Sequence, residues 1–156
     1  MFGKRTLALL VALSAVYSAQ AIEICHVEPR RMGAGDFNRL AHFFGKTSEN
    51  PTRVVAYNDA ENKTGTYWAT RFDTKIKKLP EGAKVKLELI LAGEKENRVF
   101  EYAIPATKKG SKTLYLGVSD KTFPEGIFPR ILAWRVELQS KAGEKLAESK
   151  SLLWEW

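Results

Sequence analysis

Between residues 84 and 92 the chain reads KVKLELILA, and its apolar residues fall on every second position. Val85, Leu87, Leu89 and Leu91 share one side, while Lys84, Lys86 and Glu88 take the other. A two-residue period belongs to an antiparallel strand with one face in a core and one in water. RVFEYAIP repeats it with Phe100, Tyr102 and Ile104, and KTLYLGVS with Leu114, Leu116 and Val118. RILAWRVELQ places Leu132, Trp134, Val136 and Leu138 on one face. In TGTYWATRFD, Trp68, Thr70 and Phe72 alternate with Tyr67, Ala69 and Arg71, which makes Trp68 the expected central core aromatic. IEICHV, TRVVAYN and the less regular KLAESKSLLW supply further strands. Turn-forming stretches separate these runs: DAENK, LPEG, GEKEN and KAGE.

One stretch has a different period. GDFNRLAHFFGK spaces Phe37, Leu40, Ala41 and Phe44 as a helix does, with Asp36 as N-cap and Gly45 as the stop. Strands at this spacing with one short helix predict an all-β fold, an immunoglobulin-like antiparallel β-sandwich of about 7 to 8 strands. The ending SLLWEW leaves a second architecture open. Leu152, Trp154 and Trp156 alternate back from the last residue, as in the closing strand of a small outer-membrane barrel. Against the barrel, TRVVAYN and KTLYLGVS are shorter than the roughly ten residues a crossing strand needs.

The first 21 residues form no part of the expected domain. Lys4 and Arg5 precede an apolar run from Leu7 to Val16, and Ala19-Gln20-Ala21 is a small-x-small cleavage site. These are the parts of a secretory signal, and the run is well short of the ~20 residues of a spanning helix. The mature chain, residues 22–156, suits one domain and has no other stretch long enough to span as a helix. The expected location is periplasmic, or associated with the outer membrane or cell surface. Cys25 is the one cysteine, which rules out an intramolecular disulfide, and its apolar neighbours predict that it is buried.

The formal charge is +7 for the whole chain. Lysines cluster in KIKK (75–78) and KKGSK (108–112) and recur at Lys141, Lys145 and Lys150. Such lysines commonly solvate a face or guard a sheet edge, and they also attract anionic envelope polymers or lipid headgroups. No nucleic-acid motif accompanies them.

The residues offer little for catalysis. His26 and His42 lack an Asp or Glu at ligand spacing, and there is no nucleophile elbow or phosphate-binding glycine loop. The expectation is a non-enzymatic protein with no cofactor and no metal. Binding is then expected at end loops and edges. HVEPRRMGAG (26–35) presents Arg30 and Arg31, and SDKTFPEGIFPR (119–130) carries Phe123, Ile127 and Phe128. Three large apolar residues in one loop either pack back on the core, the more common outcome, or form a docking patch. A carbohydrate-binding face would instead use Tyr67, Tyr115 and Trp156, provided they are exposed.

MGAGDFNRLAHFFGKTSENPTRVVAYND, GTYWATRF and FPRILAWRVELQSKAGEKLAESKSLLW together resemble a family of small exported proteins of verrucomicrobial-type bacteria, over nearly the whole mature chain. The matching elements are Phe43-Phe44-Gly45-Lys46, the strand from Pro129 to Trp134, and Ser151-Leu152-Leu153-Trp154. The resemblance implies an immunoglobulin-like fold, similar to archaellum-stator and pilus-associated domains. It also implies an accessory role beside type IV pilus assembly proteins, with envelope or pilus-assembly proteins, or a second copy of the chain, as partners. It brings no catalytic residues with it.

Overall fold

The computed structural model describes residues 21–37 and 53–155. Eight strands follow in order: β1 (Ile24–Met32), β2 (Val54–Tyr57), β3 (Gly65–Phe72), β4 (Lys84–Leu91), β5 (Arg98–Ala103), β6 (Thr113–Ser119), β7 (Ile131–Gln139) and β8 (Lys145–Lys150). They form two four-stranded sheets, ordered β1-β3-β6-β2 and β5-β4-β7-β8. The chain is an all-β sandwich. Because β1, β2, β5 and β8 are edges, the sheets do not close on themselves as a barrel would.

The inward residues of both sheets build one core. Trp68, Phe72, Leu87, Leu89, Leu114, Leu116, Val136 and Leu138 are fully buried in it. Each such side chain withdrawn from water contributes about 1.5–3 kcal/mol before entropy is counted. Trp68 is the central aromatic, as its place in the alternation predicts, although its indole Nε1 has no acceptor. The alternation of β4 is reproduced residue by residue, with Val85, Leu87, Leu89 and Leu91 inside.

Several expectations are corrected. In β7 the register shifts so that Ala133 faces Ile90 and Ile131 faces Leu91. Leu132 is the extra residue of this bulge and is 43% exposed, while Ile131 packs against the core. A second bulge takes Cys25 out of the β1 ladder, between Ile24 opposite Phe72 and His26 opposite Arg71. Cys25 is consequently exposed, not buried. Five pairings run antiparallel, β1/β3, β3/β6, β4/β5, β4/β7 and β7/β8, in the expected way; β2 and β6 instead run parallel, from Val54 opposite Leu114 to Tyr57 opposite Gly117. The strand expected to run through Trp154 stops short: β8 ends at Lys150 and gives way to a 3-10 turn over Leu152–Glu155. Asp36 sits inside a 3-10 turn (Ala34–Phe37) and accepts from the Gly33 N–H at 2.6 Å. The rest of the expected helix lies outside the described residues, as do Trp156 and residues 1–20.

β3 is buried on both faces. Away from the core, Tyr67 and Met32 pack with Val55, Tyr57 and Tyr115. Tyr67 can lie flat there because Gly117 faces it: a Cβ at Gly117 would come 2.3 Å from the ring. Its hydroxyl donates to the Lys63 carbonyl at 2.5 Å, and Tyr102 donates to the Gly117 carbonyl at 2.9 Å. Burial, with a smaller contribution from a neighbouring tyrosine, pushes both phenols well above their ordinary value.

Two expectations follow. A Cβ at Gly65 would lie 2.0 Å from the Val118 carbonyl oxygen, whereas one at Gly35 meets nothing within 4 Å. Gly65→Ala should therefore lower stability in urea by about 2 kcal/mol or more, with Gly35→Ala within about 0.5 kcal/mol of the parent. The raised phenols leave stability intact below the ordinary tyrosine value of 10.0 and remove it as pH climbs above that value, because the unfolded chain ionises first. In an alkaline titration, tyrosinate absorbance from Tyr67 and Tyr102 should appear together with the loss of the β-sheet circular dichroism signal, not before it.

Candidate interaction site

Two segments singled out in the sequence meet at one end of the sandwich. Arg30 and Arg31 belong to edge strand β1, which extends beyond IEICHV to Met32. The connection from β6 to β7 carries two 3-10 turns, Asp120–Thr122 and Pro124–Gly126. Pro29, Arg30, Arg31, Ile127, Phe128 and Pro129 are among the residues that line a cleft of about 550 Å³ between them.

The connection is anchored at its start. Ser119 caps the first turn by accepting from the Lys121 N–H at 3.2 Å, and its own N–H donates to Asn58 Oδ1 at 2.8 Å. Asn58 Nδ2 donates in turn to Thr122 Oγ1 at 2.7 Å. The Asp120 N–H donates to the Thr64 carbonyl at 3.0 Å. Across the cleft Arg31 grips Asp120 in a fork: Nη1 donates to Oδ1 at 2.5 Å and Nη2 to Oδ2 at 2.7 Å. The hydrogen bond to Asp120 holds the Arg31 guanidinium still more firmly charged. A planar two-pronged pair fixes orientation as well as distance. Arg30 pairs with Glu28 at 2.7 Å, and that hydrogen bond lowers the Glu28 carboxyl below its ordinary range.

The aromatics of the connection pack inward. Phe123 is buried, its ring centroid 4.6 Å from that of Phe128, and Phe128 leans on Trp68 at 6.4 Å. The Arg98 guanidinium covers Phe123 at 5.5 Å. Between the two rings the backbone turns sharply. Glu125 has φ 58° and Gly126 φ 66°, a left-handed pair in which only the glycine is at ease. That turn throws Ile127 outward, 65% exposed.

Of the sequence-predicted residues, Arg30, Arg31, Ile127 and Phe128 thus share one cleft, with Phe123 behind it. The aromatic face does not assemble. Tyr67 is 1% exposed, covered on the outer face of its sheet, which corrects its candidacy as a surface residue. Tyr115 is half-buried beside it under the Arg53 guanidinium at 5.4 Å, and Trp156 lies outside the described residues. Near the C-terminus Trp154 packs on the Arg135 guanidinium at 4.8 Å, leaving Leu152 93% exposed. Asp120 and Thr66, which also line the cleft, carry no mark in the sequence: Asp120 stands 89 positions from Arg31, and nothing local signals the pair.

Among the described residues no group of three or more His, Cys, Asp or Glu side chains could hold a metal ion, and no helix is long and apolar enough to cross a membrane. His26 is exposed on β1, and His42 lies outside the described residues. Comparisons of the chain with family models, with curated proteins and with solved structures find no match.

The fork should act on the connection more than on the fold. Arg31 is 59% exposed, so Arg31→Met or Asp120→Asn should change global stability by no more than about 1 kcal/mol. Hydrogen exchange at residues 121–127 should nevertheless quicken measurably in both variants, with exchange in β4 unchanged.

Proposed function

We propose that this chain is an exported, non-enzymatic accessory protein that acts by protein–protein contact in an envelope assembly of the type IV pilus-like kind. The carrying observation is the cleft formed by Arg30, Arg31 and Ile127. An exposed isoleucine lines it together with two arginines, on a connection already held in shape by the Arg31–Asp120 fork. A preshaped contact loses little conformational entropy on binding, and an apolar anchor rimmed by arginine is the common composition of a protein contact site. The pilus assignment rests on the sequence resemblance alone, and export rests on the basic, apolar and small-residue pattern of residues 1–21. A glycan-binding reading is weakened by the burial of Tyr67.

Crosslinking in the native envelope, read by mass spectrometry, tests the proposal. Pilus alignment or secretin components should be recovered with the parent chain. Ile127→Asp and Arg30→Glu, whose parent side chains are exposed, should each lower that recovery about tenfold or more without changing the amount of protein. Recovery of only surface glycoconjugates or barrel-assembly proteins would overturn it.

A further inference from the structure

The two lysine runs of the sequence lie at the end of the sandwich opposite the cleft, and they touch. The Ile76 N–H donates to the Ser111 carbonyl at 2.9 Å, and a Cβ at Gly110 would lie 3.9 Å from Lys75 Nζ. Lys75, Lys77, Lys78, Lys108, Lys109 and Lys112 thereby form one cap, and all six are exposed. Among the described residues none of the six is in an ion pair; Lys109 donates to the Arg53 carbonyl at 3.3 Å. Asp73 is the one carboxylate within residues 72–78 and 105–112, which leaves these two loops at net +5. That equals the net charge of everything after residue 21.

We propose that this lysine cap docks the protein on an anionic phospholipid surface. Three observations favour a flat lipid surface over an anionic polymer. First, every cation within the two loops is lysine, a strongly hydrated point charge suited to diffuse attraction, not the arginine fork that matches one phosphate or carboxylate. Second, the neighbouring hollow of about 720 Å³ that an extended polymer would enter is lined by Glu81 and Glu101 as well as by Lys77 and Lys84. Third, the chain enters the domain at this end: Ala21 and Ile22 border a hollow with Asp73, Thr74 and Lys78. Cleavage after Ala21, as the small-x-small pattern predicts, would set a new ammonium group beside the cap and add to its attraction for an anionic membrane. The cleft then faces away from the lipid, toward a partner.

The test uses the chain as cells export it, its N-terminus defined by mass spectrometry. It is sedimented with phosphatidylcholine vesicles, with vesicles containing about one-third phosphatidylglycerol, and mixed with soluble dextran sulfate. Binding to the phosphatidylglycerol vesicles alone is expected, and it should fade as salt rises from about 0.1 M to about 1 M. Each neutralised lysine should lower partitioning about fivefold, so the triple variant Lys108→Gln, Lys109→Gln, Lys112→Gln should lose roughly 100-fold. A control with the same charge loss elsewhere, Lys86→Gln, Lys95→Gln, Lys150→Gln, should bind as the parent does. Absence of vesicle binding, equal loss in both triple variants, or capture by dextran sulfate without capture by vesicles would each overturn the proposal. Circular dichroism of both variants excludes misfolding as the cause.

Discussion

The tilted contact of Phe128 with the fully buried Trp68 links the core to the surface that matters. Trp68 is fixed by the close packing of two sheets, so Phe128 inherits a fixed position and Phe123 inherits one from Phe128. The Arg98 guanidinium covers Phe123 in turn. The unfavourable backbone at Glu125, of order 1–3 kcal/mol, persists because both flanking aromatics are held. Ile127 points outward as the geometric remainder of that arrangement. The same residues would make an unremarkable floppy loop if their aromatics had no core to rest on.

The sheet edges explain why the ends carry the surface chemistry. β1 is an edge of nine residues, but it contains Pro29, which offers no N–H, and a bulge at Cys25. β8 is guarded by its own bulge, by Lys145 and Lys150, and by the 3-10 turn that follows it. β2 has only four residues. Such edges give a passing strand little to pair with, whereas the end connections are long and held by side-chain hydrogen bonds.

Much of this fold was legible in the alternation itself. β4, β5 and β6 place their inward residues where the two-residue period puts them, because the opposite sheet covers that face of each. The period failed where a second constraint acted. In β7 the bulge moved Leu132 out of phase, and no residue type announces a bulge of this kind. Tyr67 looked like a surface aromatic because alternation assumes water on the outer face; burial of that face depends on Gly117, 50 positions away. The parallel pairing of β2 with β6 left no local mark either, since a four-residue strand reads the same in both directions. The cleft was half legible: composition marked its arginines and its apolar loop, but the fork that joins them is a long-range contact.

The two ends differ in how they handle charge, and the difference is physical, not one of composition alone. The two cations that line the cleft have partners: Arg31 with Asp120, and Arg30 with Glu28. Those pairs quench the long-range field and leave short-range shape to decide what binds. At the opposite end six lysines share two adjoining loops with one carboxylate, so their fields add. Like charges within a screening length repel, and lysines kept only for solubility would be spread over the surface to lessen that repulsion. Gathering six lysines on two adjoining loops has the opposite effect. It orients the molecule in any external field of negative sign, and a surface orients it best, because the cap can approach a plane with all six ammonium groups at once.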